Sequence, residues 1–246
     1  MKKNNNTKII FYFIIYFLLF FVLIYSGIKI YEWYRDKNKN NEIAQKIKET
    51  VIVESNGKNK EEYLIDFDKL KEQNNEAIAW IKVNNTNIEY PVVKTKNNEF
   101  YLNHSFDKSK NLGGWIFADY KNKFNGTDKN IVIYGHNMKD NSMFGTMQNI
   151  LNPEWYNNEE NTNIILKTEG KNYIYKVFSI YRIENEDYYI KTEFNNDSEF
   201  EQFLNTLKAR SIRDFNMDML ESDSILTLST CDNNNKYRVV LHAKKI

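Results

Sequence analysis

The segment ILTLSTC, residues 225–231, is a short run of apolar and β-branched residues that ends at the only cysteine of the chain. Such a run is typical of a β-strand. The polar stretch DNNNKY follows at 232–237 and predicts a loop, and the run YRVVLHAKKI at 237–246 predicts another strand. Cys231 is therefore expected where a strand gives way to a loop, a common position for catalytic side chains.

Six similar runs precede this pair, each separated from the next by residues such as Asn, Gly and Asp. They are AWIKV at 79–83, NTNIEYPVV at 85–93, WIFAD at 115–119, NIVIYG at 130–135, NIILK at 163–167 and YIYKVFSIYRI at 173–183. The sequence EGK at 169–171 predicts a hairpin turn between the last two runs, and helical patterns interrupt the series at 142–155 and 198–210. The eight runs predict a mainly β fold, an eight-stranded barrel decorated with helices.

An uncharged apolar segment precedes all of these runs. Residues 9–28, IIFYFIIYFLLFFVLIYSGI, hold no charged side chain over 20 positions, and a helix of that length spans about 30 Å, the thickness of a bilayer core. A cleaved signal peptide is the competing interpretation, but the run exceeds the usual ~7–15 apolar residues and no A-x-A-like site follows it. The segment therefore predicts one uncleaved transmembrane anchor.

Charge around the apolar segment does not decide its orientation. Three lysines precede it and four basic residues follow within 29–39, so the positive-inside counts are nearly equal. A short basic tail at 1–8 ahead of a large soluble remainder is the usual form of a signal anchor. We therefore expect a single-pass membrane protein with residues 29–246 outside the cytoplasm.

Between the anchor and the strand runs, residues 29–75 predict a juxtamembrane stretch and two helices. Apolar residues recur at helical spacing in 41–53, the polar sequence SNGKNK breaks the pattern at 55–60, and helical spacing returns at 63–70. The remaining residues, 76–246, are expected to form one domain.

Composition excludes several classes of protein. The chain has 246 residues, with 34 Lys and Arg against 33 Asp and Glu, so its net charge is +1. A dedicated nucleic-acid binder depends on clustered basic residues, and this sequence has no such basic run, so a nucleic-acid-binding function is not expected. Because 41% of the residues are hydrophobic and only 2 are proline, the chain is expected to fold rather than remain disordered.

The single cysteine requires an explanation in an exported chain. Outside the reducing cytosol a lone thiol is buried, paired with another chain, or reactive. An inert buried thiol is the common case for a free cysteine. Cys231, however, is followed by Asp232 and three asparagines, and these polar neighbours favour a thiol that is accessible at the surface. Because a thiol of pKa about 8.5 is a poor nucleophile at neutral pH, it needs a base or a cation nearby.

Three histidines are candidates for that base. His136 closes the run NIVIYGH at a predicted strand end, where Gly135 is expected to let the backbone turn so that the imidazole faces a cleft. We interpret His104, in a predicted loop, as a surface or locally bonded residue, and His242, inside the last strand run, as structural. Because one thiol and three scattered imidazoles lack paired ligand spacing, no metal site is expected.

Arg238 is the candidate cation. It lies seven residues after Cys231, at the start of the last strand run, and two antiparallel strands joined by the intervening loop could bring both side chains to one end of a cleft. A solvated surface position is the ordinary alternative for an arginine. A guanidinium suits a developing oxyanion and also favours a nearby thiolate.

Together these residues resemble the sortase family of membrane-anchored cysteine transpeptidases. The family signature TLxTC is matched by the sequence TLSTC at 227–231, and the order of anchor, His136, Cys231 and Arg238 agrees with the family. The resemblance covers residues 76–246. Papain-like and NlpC/P60 hydrolases place the cysteine before the histidine, so the order counts against them.

Within that family the chain is most similar to class B. The features that carry this resemblance are two predicted helices ahead of the barrel, the sequences TNIEYPVV at 86–93 and YGHNM at 134–138, and a long connection at 184–224 with a predicted helix. The resemblance implies a sortase-type barrel with N-terminal helices and a helix in the connection before the Cys-bearing strand.

The resemblance also implies a two-step acyl transfer. Cys231 attacks the Thr carbonyl of a C-terminal sorting motif, NPQTN-like or a related pentapeptide, and an amine of a peptidoglycan precursor then resolves the thioacyl enzyme, with hydrolysis as a side reaction. His136 would carry the protons and Arg238 would hold the substrate or the oxyanion. No cofactor is implied. By similarity, Asn98, Tyr134, Ile190 and Ser229 match groove-lining positions, with barrel wall as their alternative role.

The expected partners follow from the same resemblance. They are surface proteins that bear a C-terminal sorting signal, a peptidoglycan precursor of a Gram-positive cell wall, and the membrane through the N-terminal helix; nucleic acid is not expected. A non-catalytic, membrane-anchored β-barrel that binds a wall component or a protein remains the alternative function.

Overall fold

The computed structural model describes residues 4–54, 63–184, 186–231 and 236–246, and within this part it describes the side chains except those of residues 4–7, 37, 53, 54 and 231. The predicted loop at 232–235 and the predicted break at 55–60 lie outside the described residues. The chain divides into two compact units, residues 1–39 and 40–246.

The described residues form four α-helices, four 3₁₀ helices and ten strands. The α-helices are α1 (Asn4–Val51), α2 (Phe67–Gln73), α3 (Pro153–Tyr156) and α4 (Asp197–Ala209). The 3₁₀ helices are Phe100–Leu102, Gly145–Leu151, Glu159–Thr162 and Tyr188–Ile190. The strands are β1 (Ile52–Glu54), β2 (Tyr63–Ile65), β3 (Ala77–Val83), β4 (Glu89–Val93), β5 (Phe117–Ala118), β6 (Asn130–His136), β7 (Asn163–Thr168), β8 (Lys171–Glu184), β9 (Ile225–Cys231) and β10 (Tyr237–Lys245).

Helix α1 contains the apolar segment. Its span from Lys8 to Val51 includes a window with a mean hydropathy of 2.6, and none of that window is buried in the protein. This helix is long and apolar enough to cross a membrane. The predicted helix at 41–53 is the last part of the same element, which ends at Val51.

The second predicted helix begins later than its sequence pattern indicates. Tyr63–Ile65 forms a strand that pairs antiparallel with β1, and only Phe67–Gln73 is helical. The reason is Asp66, whose side chain accepts a hydrogen bond from the backbone N–H of Lys69 at 3.0 Å and so caps the helix. The prediction of a helix over 63–65 was therefore wrong.

Strands β3 to β10 form a closed barrel, which confirms the predicted eight-stranded architecture. The order around the barrel is β10-β8-β7-β3-β4-β5-β6-β9, and β9 pairs with β10 to close it. Two pairs are parallel, β4 with β5 and β6 with β9. The predicted hairpin turn lies between β7 and β8, where Thr168 pairs with Lys171 and Gly170 has a φ of +73°.

Two apolar clusters hold the barrel together. The first fills its interior and includes Trp80, Trp115, Phe144 and Leu226, all fully buried. The second lies between α4 and the outer face of the barrel. Its α4 side chains are Phe200, Phe203, Leu204 and Leu207, the apolar face that the sequence indicates, and they pack with Phe178, Tyr181 and Val240.

Candidate active site

The ends of three barrel strands meet where the sequence predicts a site. Strands β6 and β9 are parallel partners, and their register places the Cα of His136 beside that of Cys231. Two residues earlier on each strand, Tyr134 lies beside Ser229. Neighbouring strands lie about 4.8 Å apart, so a histidine and a cysteine that are distant in sequence become direct neighbours.

Strand β10 brings Arg238 to the same end. It pairs antiparallel with β9, with Val240 beside Ser229, and the backbone N–H of Val239 donates to the hydroxyl of Thr230 at 2.9 Å. Arg238 lies two residues beyond Val240, toward the same end of the barrel at which β9 ends with Cys231. Arg238 is only partly buried, and its charge acts on the imidazole of His136.

The imidazole of His136 is held by a backbone carbonyl. Its Nε2 lies 2.7 Å from the carbonyl oxygen of Leu102, and because a carbonyl can only accept, Nε2 is the donor in this contact. This assigns the neutral tautomer, with the proton on Nε2 and the lone pair on Nδ1. Nδ1 is therefore the nitrogen that can exchange a proton with a substrate.

The pKa of His136 lies below its ordinary value. Burial of the ring is the largest cause, the hydrogen bond to Leu102 opposes it, and the positive charge of Arg238 lowers the pKa further. Both lowering effects disfavour the imidazolium form. The ring therefore stays neutral down to a lower pH than an exposed histidine.

This origin of the His136 pKa can be tested by a titration of the full chain. We expect the pKa of His136 to lie below about 6.5 in an NMR experiment on the histidine ring protons. Arg238→Gln should raise that pKa, because it removes the positive charge that disfavours the imidazolium form. Burial lowers the pKa of His242 to about 3, so its signals serve as a reference that stays unchanged from about pH 5 to 8. An unchanged His136 pKa in Arg238→Gln would show that the two groups do not interact.

Gly114 is a positioning residue that sequence reasoning missed. Its φ is +55°, and a Cβ at this position would lie 2.9 Å from His136 Cδ2 and 2.9 Å from the Leu102 carbonyl oxygen, and would also clash with the carbonyl of Tyr101. Glycine is thus required both by the backbone conformation and by the space that the histidine and its acceptor occupy. No local motif marks it, because its contacts come from the 3₁₀ helix Phe100–Leu102 and from the end of β6.

The role predicted for Gly135 was wrong. Strand β6 continues through Gly135 to His136, and Gly135 is not among the glycines with positive φ in the described chain. A Cβ there would lie 2.5 Å from Ile116 Cδ1 and 2.6 Å from the ring of Phe144. The residue is needed for close packing inside the barrel and does not make a turn.

Asn98 and Tyr134 are joined by a carboxylate that sequence reasoning also missed. Asp119 is buried, and its Oδ2 accepts from Asn98 Nδ2 at 2.8 Å and from the Tyr134 hydroxyl at 2.9 Å. Its Oδ1 accepts from the backbone N–H of Lys121 at 2.9 Å. Asp119 therefore fixes two of the four predicted groove residues relative to each other.

The other two predicted groove residues are connected through the 3₁₀ helix Tyr188–Ile190. The hydroxyls of Ser229 and Tyr189 are hydrogen-bonded at 2.9 Å, and Ile190, partly buried, packs against both apolar clusters. Asn130 of β6 fastens this segment, since its Nδ2 donates to the Lys191 carbonyl at 2.9 Å. Tyr134 and Ser229 are thus buried neighbours on adjacent strands, and Ile190 follows the tyrosine that is bonded to Ser229.

The remaining histidines lie where the sequence indicates. His104 is bonded locally, with Nδ1 2.7 Å from the Phe100 carbonyl and its ring stacked on that of Phe100 at 4.0 Å. His242 is fully buried, with Nε2 2.8 Å from the Tyr181 hydroxyl and Nδ1 2.9 Å from that of Thr227. It belongs to a structural network and takes no part in the exposed site.

A comparison with protein-family models gives a direct match. The model of the sortase domain matches residues 81–246, which include the whole barrel from Ile81 onward and all three strand ends of the site. The chain belongs to the sortase family. The matched residues therefore make up the second compact unit of the chain, residues 40–246, except for its first part at 40–80.

Named relatives of this sortase identify the class. It is 34% identical to sortase B of Listeria monocytogenes over 233 residues, which cover 92% of each chain. It superposes on the crystal structure of sortase B from B. anthracis with a TM-score of 0.76 at 30% identity, covering 85% of this chain and 96% of that one. Sortase B from Clostridium perfringens gives 0.69 at 38% identity, covering 74% and 100%. This sortase is therefore a transpeptidase most like class B.

Gly114→Ala is expected to lower the activity of this sortase about 100-fold, because a misplacement of about 1 Å in a catalytic group can have an effect of that size. The measurement is the steady-state rate of peptide cleavage by the full chain. Gly170→Ala is the matched control: its φ is +73° and no atom lies within 4 Å of its Cβ position. The control therefore carries the same backbone strain without touching His136, and equal losses in both variants would refute the positioning role.

Proposed function

We propose that this sortase is a membrane-anchored cysteine transpeptidase that cleaves a C-terminal sorting signal after Thr and transfers the protein to an amine of a peptidoglycan precursor. The observation that carries the proposal is the pairing of His136 with Cys231 on adjacent parallel strands, with Arg238 entering from the third. These groups supply a nucleophile, a proton carrier and a fixed cation, so the proposed reaction uses no cofactor.

In the first step Nδ1 of the neutral His136 takes the thiol proton of Cys231, and the resulting thiolate attacks the Thr carbonyl carbon, whose oxygen takes up the negative charge. Arg238 stabilises that oxyanion or holds the substrate beside it, because a guanidinium keeps its charge at any relevant pH. The carbon–nitrogen bond then breaks as protonated His136 gives a proton from Nδ1 to the departing amine. A thioacyl enzyme and a neutral imidazole remain.

In the second step the amine of the acceptor attacks the thioacyl carbon. The neutral His136 takes a proton from the attacking nitrogen at Nδ1, and the carbon–sulfur bond breaks to release the thiolate. The lowered pKa of His136 suits this base role, since the imidazole is neutral when the acceptor arrives. Water in place of the amine gives hydrolysis as a side reaction.

The donor peptide is proposed to lie along the wall formed by Asn98, Tyr134, Ser229 and Ile190. Tyr134 and Ser229 precede His136 and Cys231 by two residues on the same pair of strands, so a peptide that contacts them presents its next residues to the strand ends. Asp119 and Tyr189 hold these side chains by hydrogen bonds. An NPQTN-like or related pentapeptide is the proposed motif.

The proposed domain organisation follows the membrane anchor. Residues 1–8 form a short cytoplasmic tail, 9–28 the transmembrane anchor, 29–75 the juxtamembrane stretch and N-terminal helices, and 76–246 the extracellular catalytic domain. The exposed apolar surface of α1 supports the anchor. External protease added to intact cells is expected to digest the catalytic domain, and full protection of that domain would contradict the orientation.

The experiment that tests the proposed function uses the full chain in nonionic detergent micelles, a panel of sorting-type pentapeptides extended on both sides, and an amine acceptor. Mass spectrometry of the protein and of the products is the readout. We expect a thioacyl adduct on Cys231 and a ligated product whose yield depends on the amine. Binding of peptides with neither adduct nor cleavage across the panel would favour the non-catalytic binding module instead.

A further inference from the structure

A cationic pocket adjoins the site on the side away from the predicted peptide wall. Its volume is about 280 Å³. Three of its lining residues, Arg182, Lys236 and Arg238, carry positive charge, and none of the lining residues that the structure describes is acidic. Asn137, the residue after His136, also lines it, so the pocket begins next to the proposed catalytic histidine.

The positive charges of this cationic pocket are not neutralised within the described part of the chain. There, none of Arg182, Lys236 and Arg238 forms an ion pair. Arg182 lies 4.2 Å from the ring centre of Tyr237, and the Nζ of Lys236 lies 5.4 Å from the same ring. An aromatic face attracts a cation without occupying the hydrogen-bond donors of that cation. The donors of Arg182 and Lys236 can therefore bind an anion.

The cationic pocket shares Arg238 with the candidate site, and its other residues extend away from the peptide wall. Val239, which lines the pocket, is the register partner of Arg182 and packs in the interior cluster. Val240, the next residue, belongs to the outer cluster that borders the peptide wall. Because successive strand residues face opposite sides, Arg182 and Val239 lie on the face of the sheet opposite to Val240, whereas Arg238 lies on the same face as Val240. The pocket therefore begins at Arg238 and extends away from the peptide wall, so that a second substrate can occupy it while the first still occupies the wall.

We infer that the cationic pocket binds a carboxylate of the amine acceptor, so that the preferred acceptor carries a carboxylate as well as its reacting amine. This inference rests on the proposed two-step transfer. Pockets for drug-sized ligands measure about 300–1,000 Å³, and the smaller volume here suits one group of amino-acid size. Arginine pairs well with a carboxylate because its donors match the two oxygens.

Two amines that differ only in charge test the inference. 6-Aminohexanoate and 6-aminohexanamide are compared with the full chain in nonionic detergent micelles, for binding by saturation-transfer NMR and for ligation to a cleaved sorting peptide. We expect about tenfold tighter binding and about tenfold faster ligation for the carboxylate, the size of one charge-assisted hydrogen bond. Equal behaviour of the two amines would overturn the inference.

Variants locate the effect. Arg182→Gln and Lys236→Gln are each expected to remove most of the preference for the carboxylate. Lys245→Gln is the matched control, because Lys245 lies at the opposite end of β10 and, like Lys236, has its Nζ near a tyrosine ring, at 4.3 Å from that of Tyr173. The control should keep the preference. If both pocket variants keep it too, or if all three lose it, the pocket does not bind the acceptor.

Cleavage in the absence of any amine separates this inference from the proposed function. If no peptide is cleaved and no adduct forms, the two-step transfer fails and the acceptor role fails with it, whatever the amines bind. If cleavage proceeds but the two amines ligate equally, only the pocket inference fails. If the pocket variants raise the KM for the donor peptide and leave the amine preference intact, the pocket contacts the donor, and the acceptor role is overturned.

Discussion

Cys231→Ala is expected to abolish peptide cleavage and transfer while the barrel stays folded. The reaction requires a covalent bond to sulfur, and no other thiol is present in the chain, which has one cysteine. Residue 231 ends β9, and the backbone pairings of that strand with β6 do not depend on the side chain at 231. The measurement is product formation and the thioacyl mass shift, with the thermal unfolding temperature as the check on the fold.

The control for this experiment is the same variant with an intact donor peptide. Cys231→Ala should still bind the peptide, because Asn98, Tyr134, Ser229 and Ile190 are unchanged. Full cleavage by this variant would exclude the thioacyl route, and the enzyme assignment of the site would have to be abandoned. Loss of both binding and cleavage, with a lowered unfolding temperature, would assign a structural role to the cysteine.

His136→Ala is expected to lower kcat by about 10²–10⁴, the usual contribution of a general acid–base group. His136 acts in both steps, as acid toward the departing amine and as base toward the incoming one, so the loss should appear in cleavage and in ligation. The KM for the donor peptide should change little, because the ring holds the proton and does not form the peptide wall. Steady-state kinetics of the full chain with saturating peptide give this separation.

His104→Ala is the matched control for this variant. Both residues are partly buried, and a ring nitrogen of each is hydrogen-bonded to a backbone carbonyl, that of Leu102 for His136 and that of Phe100 for His104. Only His136 lies at the strand ends with Cys231 and Arg238. Comparable losses in kcat for the two variants would show that the effect comes from disturbing this region of the fold and not from proton transfer.

The sequence was sufficient to predict the barrel strands and to select three candidate residues that the fold brings to one end of the barrel. Short β-branched runs separated by polar turns identified all eight barrel strands, because strand periodicity is a local property. Cys231, His136 and Arg238 could be found because each stands at the end of such a run. The parallel register that sets His136 beside Cys231 could not be derived in this way, since two other strands and the helices α3 and α4 lie between β6 and β9 along the chain.

The residues that position the site were not predictable, and the reason is physical. Asp119, Gly114 and Tyr189 act through contacts with residues far away in sequence, and nothing in their own neighbourhoods indicates a special role. The strand at 63–65 was missed for a related reason. Tyr63 and Leu64 fit a helical pattern locally, but pairing with β1 and the cap at Asp66 decide the conformation.

The parallel pairing of β6 with β9 has a consequence for how such an enzyme diversifies. Residues 136 and 231 are held together by the pairing of two strands, whereas the segment between them in the chain contributes Tyr189 and Ile190 to the border of the proposed peptide wall and α4 to the outer cluster. Substitutions, insertions and deletions in that connection can therefore change this border while the spacing between residues 136 and 231 stays the same. Tyr134 and Ser229, which lie on the paired strands themselves, do not have this freedom.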